Sequence, residues 1–204
     1  VSGSSYADND SFTISGNELI INESANYENQ SAYTVLLEVK DKDQATYEKE
    51  FTFNVNDIND TPTDISIDSS SIDENNYSGT TVAFLSAADQ DSGESHTFSL
   101  VSGSSSTDND KFTIAGHQLI IKDSADYESH SSYSILLEAR DDDGATVVKG
   151  FTINVNDINE TPTDISIDSS SINENNDSGV TVAFLSAADQ DSGESHTFSL
   201  VSGS

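Results

Sequence analysis

Apolar positions alternate with polar ones in short runs along this chain, and no stretch carries the three-to-four spacing of a helix. Tyr133, Ile135, Leu137 and Ala139 alternate with Ser134, Leu136 and Glu138, and Phe151, Ile153 and Val155 with Thr152, Asn154 and Asn156. A period of two points successive side chains to opposite faces, so each run predicts a half-buried strand. Phe112-Thr113-Ile114 and Gln118-Leu119-Ile120-Ile121 flank Ala115-Gly116-His117, which predicts a hairpin that turns near the glycine. Thr81 to Ala88 predicts a further strand, in which the order of Val82, Phe84, Leu85 and Ala87 breaks alternation and marks a bulge. Strands starting near Asp64 and His96 complete a set of about seven, the number of an immunoglobulin-type sandwich.

The pattern repeats. Val1-Ser2-Gly3-Ser4 recurs at Val101 and at Val201, a period of 100 residues. Residues 161–204 match 61–104 at 41 of 44 positions, and residues 1–60 match 101–160 at 37 of 60. A period this long is one whole domain rather than a solenoid turn. Thr61-Pro62-Thr63-Asp64 and Thr161-Pro162-Thr163-Asp164 each stand between two strand patterns, where a residue without an N–H is tolerated. Boundaries there divide the chain into residues 1–60, the C-terminal part of one repeat; 61–160, a complete repeat; and 161–204, the N-terminal part of another. The chain starts with Val1 and contains no Met, so it reads as a segment of something longer, cut within a domain.

Charge changes the picture next. Asp and Glu outnumber Lys and Arg 37 to 7, for a formal net charge of −30. Self-repulsion of that size works against a compact fold unless cations or a basic partner neutralise it. Nucleic acid is excluded as a partner because phosphate binding needs a basic face, and an anionic membrane surface is disfavoured on the same ground. No stretch approaches the ~20 apolar residues of a membrane-spanning helix. The absence of Cys excludes disulfides and thiolate metal sites.

The carboxylates cluster at recurring places. Each boundary carries Asn56-Asp57-Ile58-Asn59-Asp60 or Asn156-Asp157-Ile158-Asn159-Glu160. Glu74-Asn75 and Glu174-Asn175 follow, then Asp89-Gln90-Asp91-Ser92-Gly93 and its copy from Asp189. Asp126-Tyr127-Glu128 has the variant Asn26-Tyr27-Glu28, and Asp141-Asp142-Asp143-Gly144 the variant Asp41-Lys42-Asp43. Calcium takes six to eight oxygen ligands from carboxylates, amide oxygens and backbone carbonyls, and this set supplies them. In an extended linker the alternate residues of Asp-x-Asn point to opposite sides, toward two neighbouring ions.

These motifs, in this order across the whole chain, resemble the cadherin family in its bacterial cadherin-like form. The resemblance implies tandem seven-stranded Greek-key β-sandwich repeats, all-β, with Ca2+ bound at each junction between domains. Carried over by position, junction one uses Asn26 and Glu28, then Asp57, Asn59 and Asp60, then Asp89, Asp91 and Asp141. Junction two uses Glu74, Asp126 and Glu128, then Asp157, Asn159 and Glu160, then Asp189 and Asp191. The linker is one residue shorter than the family's, Ser95 stands where the family has Asn, Asn26 replaces a carboxylate and Glu160 replaces Asp. The number of ions per junction stays open. Junction one lacks an upstream Glu-Asn and junction two the last downstream Asp. Residues 162–204 of one molecule and 1–60 of another would make a whole domain, with Glu174 and Asp41 supplying the missing ligands in trans.

The expected function is that of a calcium-rigidified extender in a large cell-surface or secreted adhesin, extracellular and bacterial, whose partners are neighbouring repeats. The alternative is a carbohydrate-binding or homophilic module; against it, the chain has no Trp, and most Phe and Tyr fall at core positions. An enzyme is not expected: the serines have no nearby His to activate them, and the Asp-x-Asp pairs fit ligands better than a glycosidase pair. His96, His117, His130 and His196 show no zinc-site spacing. Asp68, Asp73, Glu94 and Glu138 read as plain surface.

Overall fold

The computed structural model describes residues 8–202; the Val1-Ser2-Gly3-Ser4 copy of the repeated motif and the last two residues of its third copy lie outside them. The chain forms two compact units. The first takes the residues up to Asp64 together with Ala87–His96 and Ala139–Val147; the second takes Ile65–Ser86, Thr97–Glu138 and the residues from Val148 onward.

In the first unit, strands β1 (Phe12–Ser15) and β2 (Glu18–Ile21) form a hairpin, and β3 (Ala32–Lys40) pairs antiparallel with β4 (Thr46–Asn54) over nine residues. Gly16 takes a φ of 64° at the first turn, a conformation most side chains resist. Phe12 packs edge-on against Tyr33, ring centres 5.5 Å apart, and Val35 is buried.

The second unit is built mainly on two four-stranded sheets. One has the order β5 (Asp64–Ile67), β7 (Thr81–Ala88), β10 (Gln118–Ile121), β9 (Phe112–Ala115); the other has β6 (Ser71–Asp73), β12 (Thr146–Asn156), β11 (Ser132–Arg140), β8 (Thr97–Leu100). The alternation read from the sequence is the alternation of burial: Tyr133, Ile135, Leu137 and Ala139 face the core from β11, and Ile153 and Val155 face it from β12. Residues 61–160 thus carry eight strands, one more than the approximate count of seven. The first predicted strand is divided: β5 joins one sheet, and β6 crosses to the other, where it runs parallel to β12. The expected bulge is present. Leu119 pairs with Ala83 and Ile120 with Thr81, which leaves Val82 as the extra residue and lets the adjacent Val82 and Ala83 both be buried.

Residues 161–204 repeat the sequence of the sandwich's first half but not its burial. There, among the described residues, β13 (Asp164–Ile167) pairs only with β14 (Leu185–Ala188). Ile65 is 0% exposed and Ile165 66%; Leu85 is 3% exposed and Leu185 49%.

Candidate metal centre

In the first unit the acidic segments converge. Glu28, Asp57 and Asp91 bring one carboxylate oxygen each within 4.8 Å of one another. The backbone N–H of Asp60 donates to Asp91 Oδ2 at 2.6 Å, and Gln90 Nε2 donates to Glu28 Oε2 at 3.1 Å. Asn59 donates its side-chain N–H to Asp60 O (2.8 Å) and Asp141 Oδ2 (3.1 Å). Asp141, 4% exposed, folds its own loop: its Oδ1 accepts from Gly144 N and Ala145 N, with Gly144 at a φ of 97°. Tyr27, Glu28, Asp57, Asn59, Asp91 and Glu94 line a cleft of about 630 Å³.

The second unit builds the same arrangement. Glu74, 3% exposed, accepts from Tyr127 N through Oε2 and from Ile158 N through Oε1, both at 2.8 Å. Asn75 occupies the left-handed region, φ 56°, which asparagine tolerates, and donates to Glu160. Glu160 N donates to Asp191 Oδ2 at 2.8 Å, as Asp60 N does to Asp91. Two groups of ligand atoms lie within 4.8 Å: Glu74, Glu128 and Glu160, and Glu128, Asp157 and Asp191.

The hydrogen bonds leave specific oxygens without donors. Asn59 Oδ1, Asp91 Oδ1, Glu94 Oε2, Glu160 Oε2 and Asp191 Oδ1 are buried and receive no hydrogen bond. All five are acceptors, and all sit in these clusters. A buried acceptor without a donor costs about 1–3 kcal/mol, so an arrangement that repeats the cost at both places suits a bound cation. The donor set is entirely oxygen, which fits a hard cation such as calcium.

Electrostatics agree. Burial holds the Glu94 carboxyl above its ordinary value, and the charges of Asp91, Asp141, Asp89 and Asp143 add to the shift. Burial likewise raises Glu160, with Asp191 and Glu74 adding to it against a hydrogen bond from Asn75. Asp91 is also raised: the N–H of Asp60 pulls it down, but burial and Glu28 outweigh that bond. Asp141 lies below its ordinary value, because hydrogen bonds from Asn59, Ala145 and Gly144 together overcome burial. His196 lowers Asp189. A carboxyl raised in the folded state destabilises it once ionised, and this cost is relieved as pH falls through the raised value. A carboxyl held low contributes stability that is lost as pH falls below about 4. In chelator, the melting temperature is therefore expected to rise as pH falls from neutral toward the raised carboxyl values, and to fall again below about pH 4. A profile that falls steadily from neutral pH would contradict these shifts.

Not every expected ligand joins a cluster. Asn26 Oδ1 accepts from Asn29 N at 2.8 Å, and Asp126 accepts from the N–H and hydroxyl of Ser129, both at 3.0 Å; each closes its own turn. Asp126 also receives Gln190 Nε2 at 3.4 Å. Asp41 is exposed and holds the N–H groups of Asp43 and Ala45, while Glu174 is exposed. Asp89 and Asp189 use one oxygen for the N–H of Asp91 and Asp191, and turn the other to a histidine. Glu94, read from sequence as plain surface, is half-buried with an unpaired oxygen. The signal for it was Gly93, whose φ of 92° turns the chain back toward Asp89.

No family model matches the chain. Protocadherin gamma-B4 from Homo sapiens and from Pan troglodytes is 34% identical to it over 126 residues, 60% of this chain. The chain spans 14% of the length of these relatives. Among solved structures, extracellular cadherin domains 1–4 of protocadherin gamma B7 match 86% of this chain and 44% of their own, with a TM-score of 0.64 and 27% identity. Human CDH23 EC21-23 matches 91% of this chain and 63% of its own, with a TM-score of 0.61 and 22% identity. With two packed β-sheets, a recurring acidic boundary and these neighbours, the chain has a cadherin-like fold and is similar to cadherin extracellular domains.

Proposed function

We propose that the chain is a calcium-binding extender: cadherin-like repeats whose junctions are stiffened by Ca2+ and which space other parts of a surface adhesin. The observation that carries this reading is the set of buried, donor-free oxygens at both boundaries. Glu28, Asp57, Asn59, Asp60, Asp91 and Asp141 would hold the ion or ions at the first, and Glu74, Glu128, Asp157, Asn159, Glu160 and Asp191 at the second. Asp89 and Asp189 support these sets by fixing the backbone of Asp91 and Asp191. Bound calcium would supply the positive charge that the clusters lack; the residues' own part is to bring oxygens together and orient them through backbone N–H groups. The repeats follow the divisions at Pro62 and Pro162, and the near-identity of 61–104 and 161–204 supports selection for length over distinct recognition surfaces. The role is mechanical, not enzymatic. A bacterial origin for the parent rests on the motif resemblance alone.

A polypeptide of these 204 residues is also proposed to associate end to end. Ile165, Ile167, Val182 and Leu185 are exposed at one end, and Ile14, Ile21 and Phe53 at the other. Their counterparts Ile65, Val82, Leu85, Ile121 and Ile153 form the core of the complete repeat. Burial of such faces is the main drive for association.

Small-angle X-ray and light scattering, each with calcium and with chelator, test both statements. Calcium is expected to give a longer, stiffer particle, and concentrated samples to exceed monomer mass. Unchanged dimensions on chelation would remove the extender reading. A monodisperse monomer at high concentration would remove end-to-end joining.

A further inference from the structure

In the first unit, Phe12, Leu19, Ile21, Tyr33, Phe53 and Val55 line an apolar groove of about 570 Å³. Among the described residues, β2 pairs only with β1 and β4 only with β3, so each keeps an open edge of N–H and C=O groups. In the complete repeat the same edges are taken: β10, the counterpart of β2, pairs also with β7, and β12, the counterpart of β4, pairs also with β6. The strands that take them belong to residues 61–104, and residues 161–204 carry that sequence again at 41 of 44 positions. In this second copy residues 171–173 and 181–184 form no strand, although their counterparts are β6 and the first half of β7. Ile172 and Val182, which lie in those stretches, are exposed.

We propose that the groove and its two open edges receive residues 165–188 of a second copy of this chain, in the register that the complete repeat uses within itself. The inference rests on the end-to-end association proposed above and assigns its partner segment, strand polarity and register. Shifted by one period, the pairs of the complete repeat set Glu18 opposite Phe184, Leu19 opposite Ala183 and Ile20 opposite Thr181, antiparallel, with Val182 as the bulge. They set Asn54 beside Ser171, Val55 beside Ile172 and Asn56 beside Asn173, parallel. Ile165, Ile172, Val182 and Leu185 then enter the groove as Ile65, Ile72, Val82 and Leu85 enter the core. A slip of one residue would turn these side chains away from the groove, so one register is favoured. Such an interface is a domain core cut in half, the class that buries about 2,000 Å² or more in stable complexes. Main-chain bonds along the added strands give affinity, and the buried side chains give specificity. All of the paired positions lie outside the carboxylate clusters.

The chain has no Cys, so single substitutions can report the register. A Glu18→Cys protein and a Phe184→Cys protein are mixed at high concentration and oxidised, in physiological salt that screens the negative charge on both. Both positions are exposed, so neither substitution disturbs the core. Residues opposite each other on antiparallel strands have Cα atoms about 4.5–5.5 Å apart, within reach of a disulfide. Ser186→Cys, also exposed, is the control. It lies two positions off register, and at about 7–8 Å it falls outside that reach. Mass spectrometry is expected to find the disulfide between positions 18 and 184 about tenfold or more above that between 18 and 186. Equal amounts of the two, with light scattering above monomer mass, overturn this register and leave end-to-end joining in place. Equal amounts at monomer mass remove both.

Discussion

Replacing both Asp91 and Asp191 by asparagine should raise the melting temperature in chelator and lower it in millimolar calcium. Asparagine keeps an oxygen for the N–H of Asp60 or Glu160, which now bonds Oδ2 of each aspartate. What it removes is charge. Without metal, that charge repels Glu28 and Asp60 around Asp91 and Glu160 around Asp191, so its loss relaxes the folded state. With metal, the same charge is a ligand whose other oxygen is buried and free of donors. Loss of even a supporting partner at a metal site costs about 10–100-fold in affinity, and a ligand costs at least that. Because bound ions stabilise the folded chain by mass action, the calcium-dependent gain should shrink by about 5 °C or more. Differential scanning calorimetry of the two proteins in both buffers measures the sign. If the substitution acts in the same direction with and without calcium, the clusters are surface charge and not a metal centre.

A second large effect separates two residues that local sequence cannot tell apart. Ile65 and Ile165 both sit in Thr-Pro-Thr-Asp-Ile-Ser-Ile-Asp. Ile65 is 0% exposed within the sandwich and Ile165 66% exposed on a two-stranded sheet. Ile65→Ala leaves a cavity as well as losing apolar burial, and should cost about 2–5 kcal/mol. Ile165→Ala in dilute solution should stay within about 0.5 kcal/mol, as surface substitutions do. Urea unfolding of the two variants at low protein concentration makes the comparison, and equal costs would show that residues 161–204 pack as fully as 61–104. At high concentration, end-to-end joining would bury Ile165, and its substitution would then weaken association.

Much of the fold was legible because a strand's signal is local. Alternation in 133–139 and 151–155 became β11 and β12, and the irregular order in 81–88 became the bulge at Val82. The switch of β5 and β6 between sheets was not legible, since nothing in Asp64–Asp73 states which sheet each half will join. For the metal centre, residue type and order identified the carboxylates at both boundaries. Which of them face one another was another matter. Asp41, Asn26 and Asp126 spend oxygens on their own turns, whereas Glu94 turns inward behind Gly93.

The histidines make the same distinction most sharply. His96 and Asp89 are seven positions apart and match no zinc spacing, yet a glycine-centred turn sets them 3.1 Å apart. By itself the sequence determined the period of 100 residues, the strand class and the places where negative charge collects, because these depend on composition and near neighbours. Only the tertiary structure decided which copy of an identical segment is buried and which carboxylate oxygens are left without donors. Both depend on strands and loops that arrive from distant parts of the chain, and no local pattern encodes their arrival.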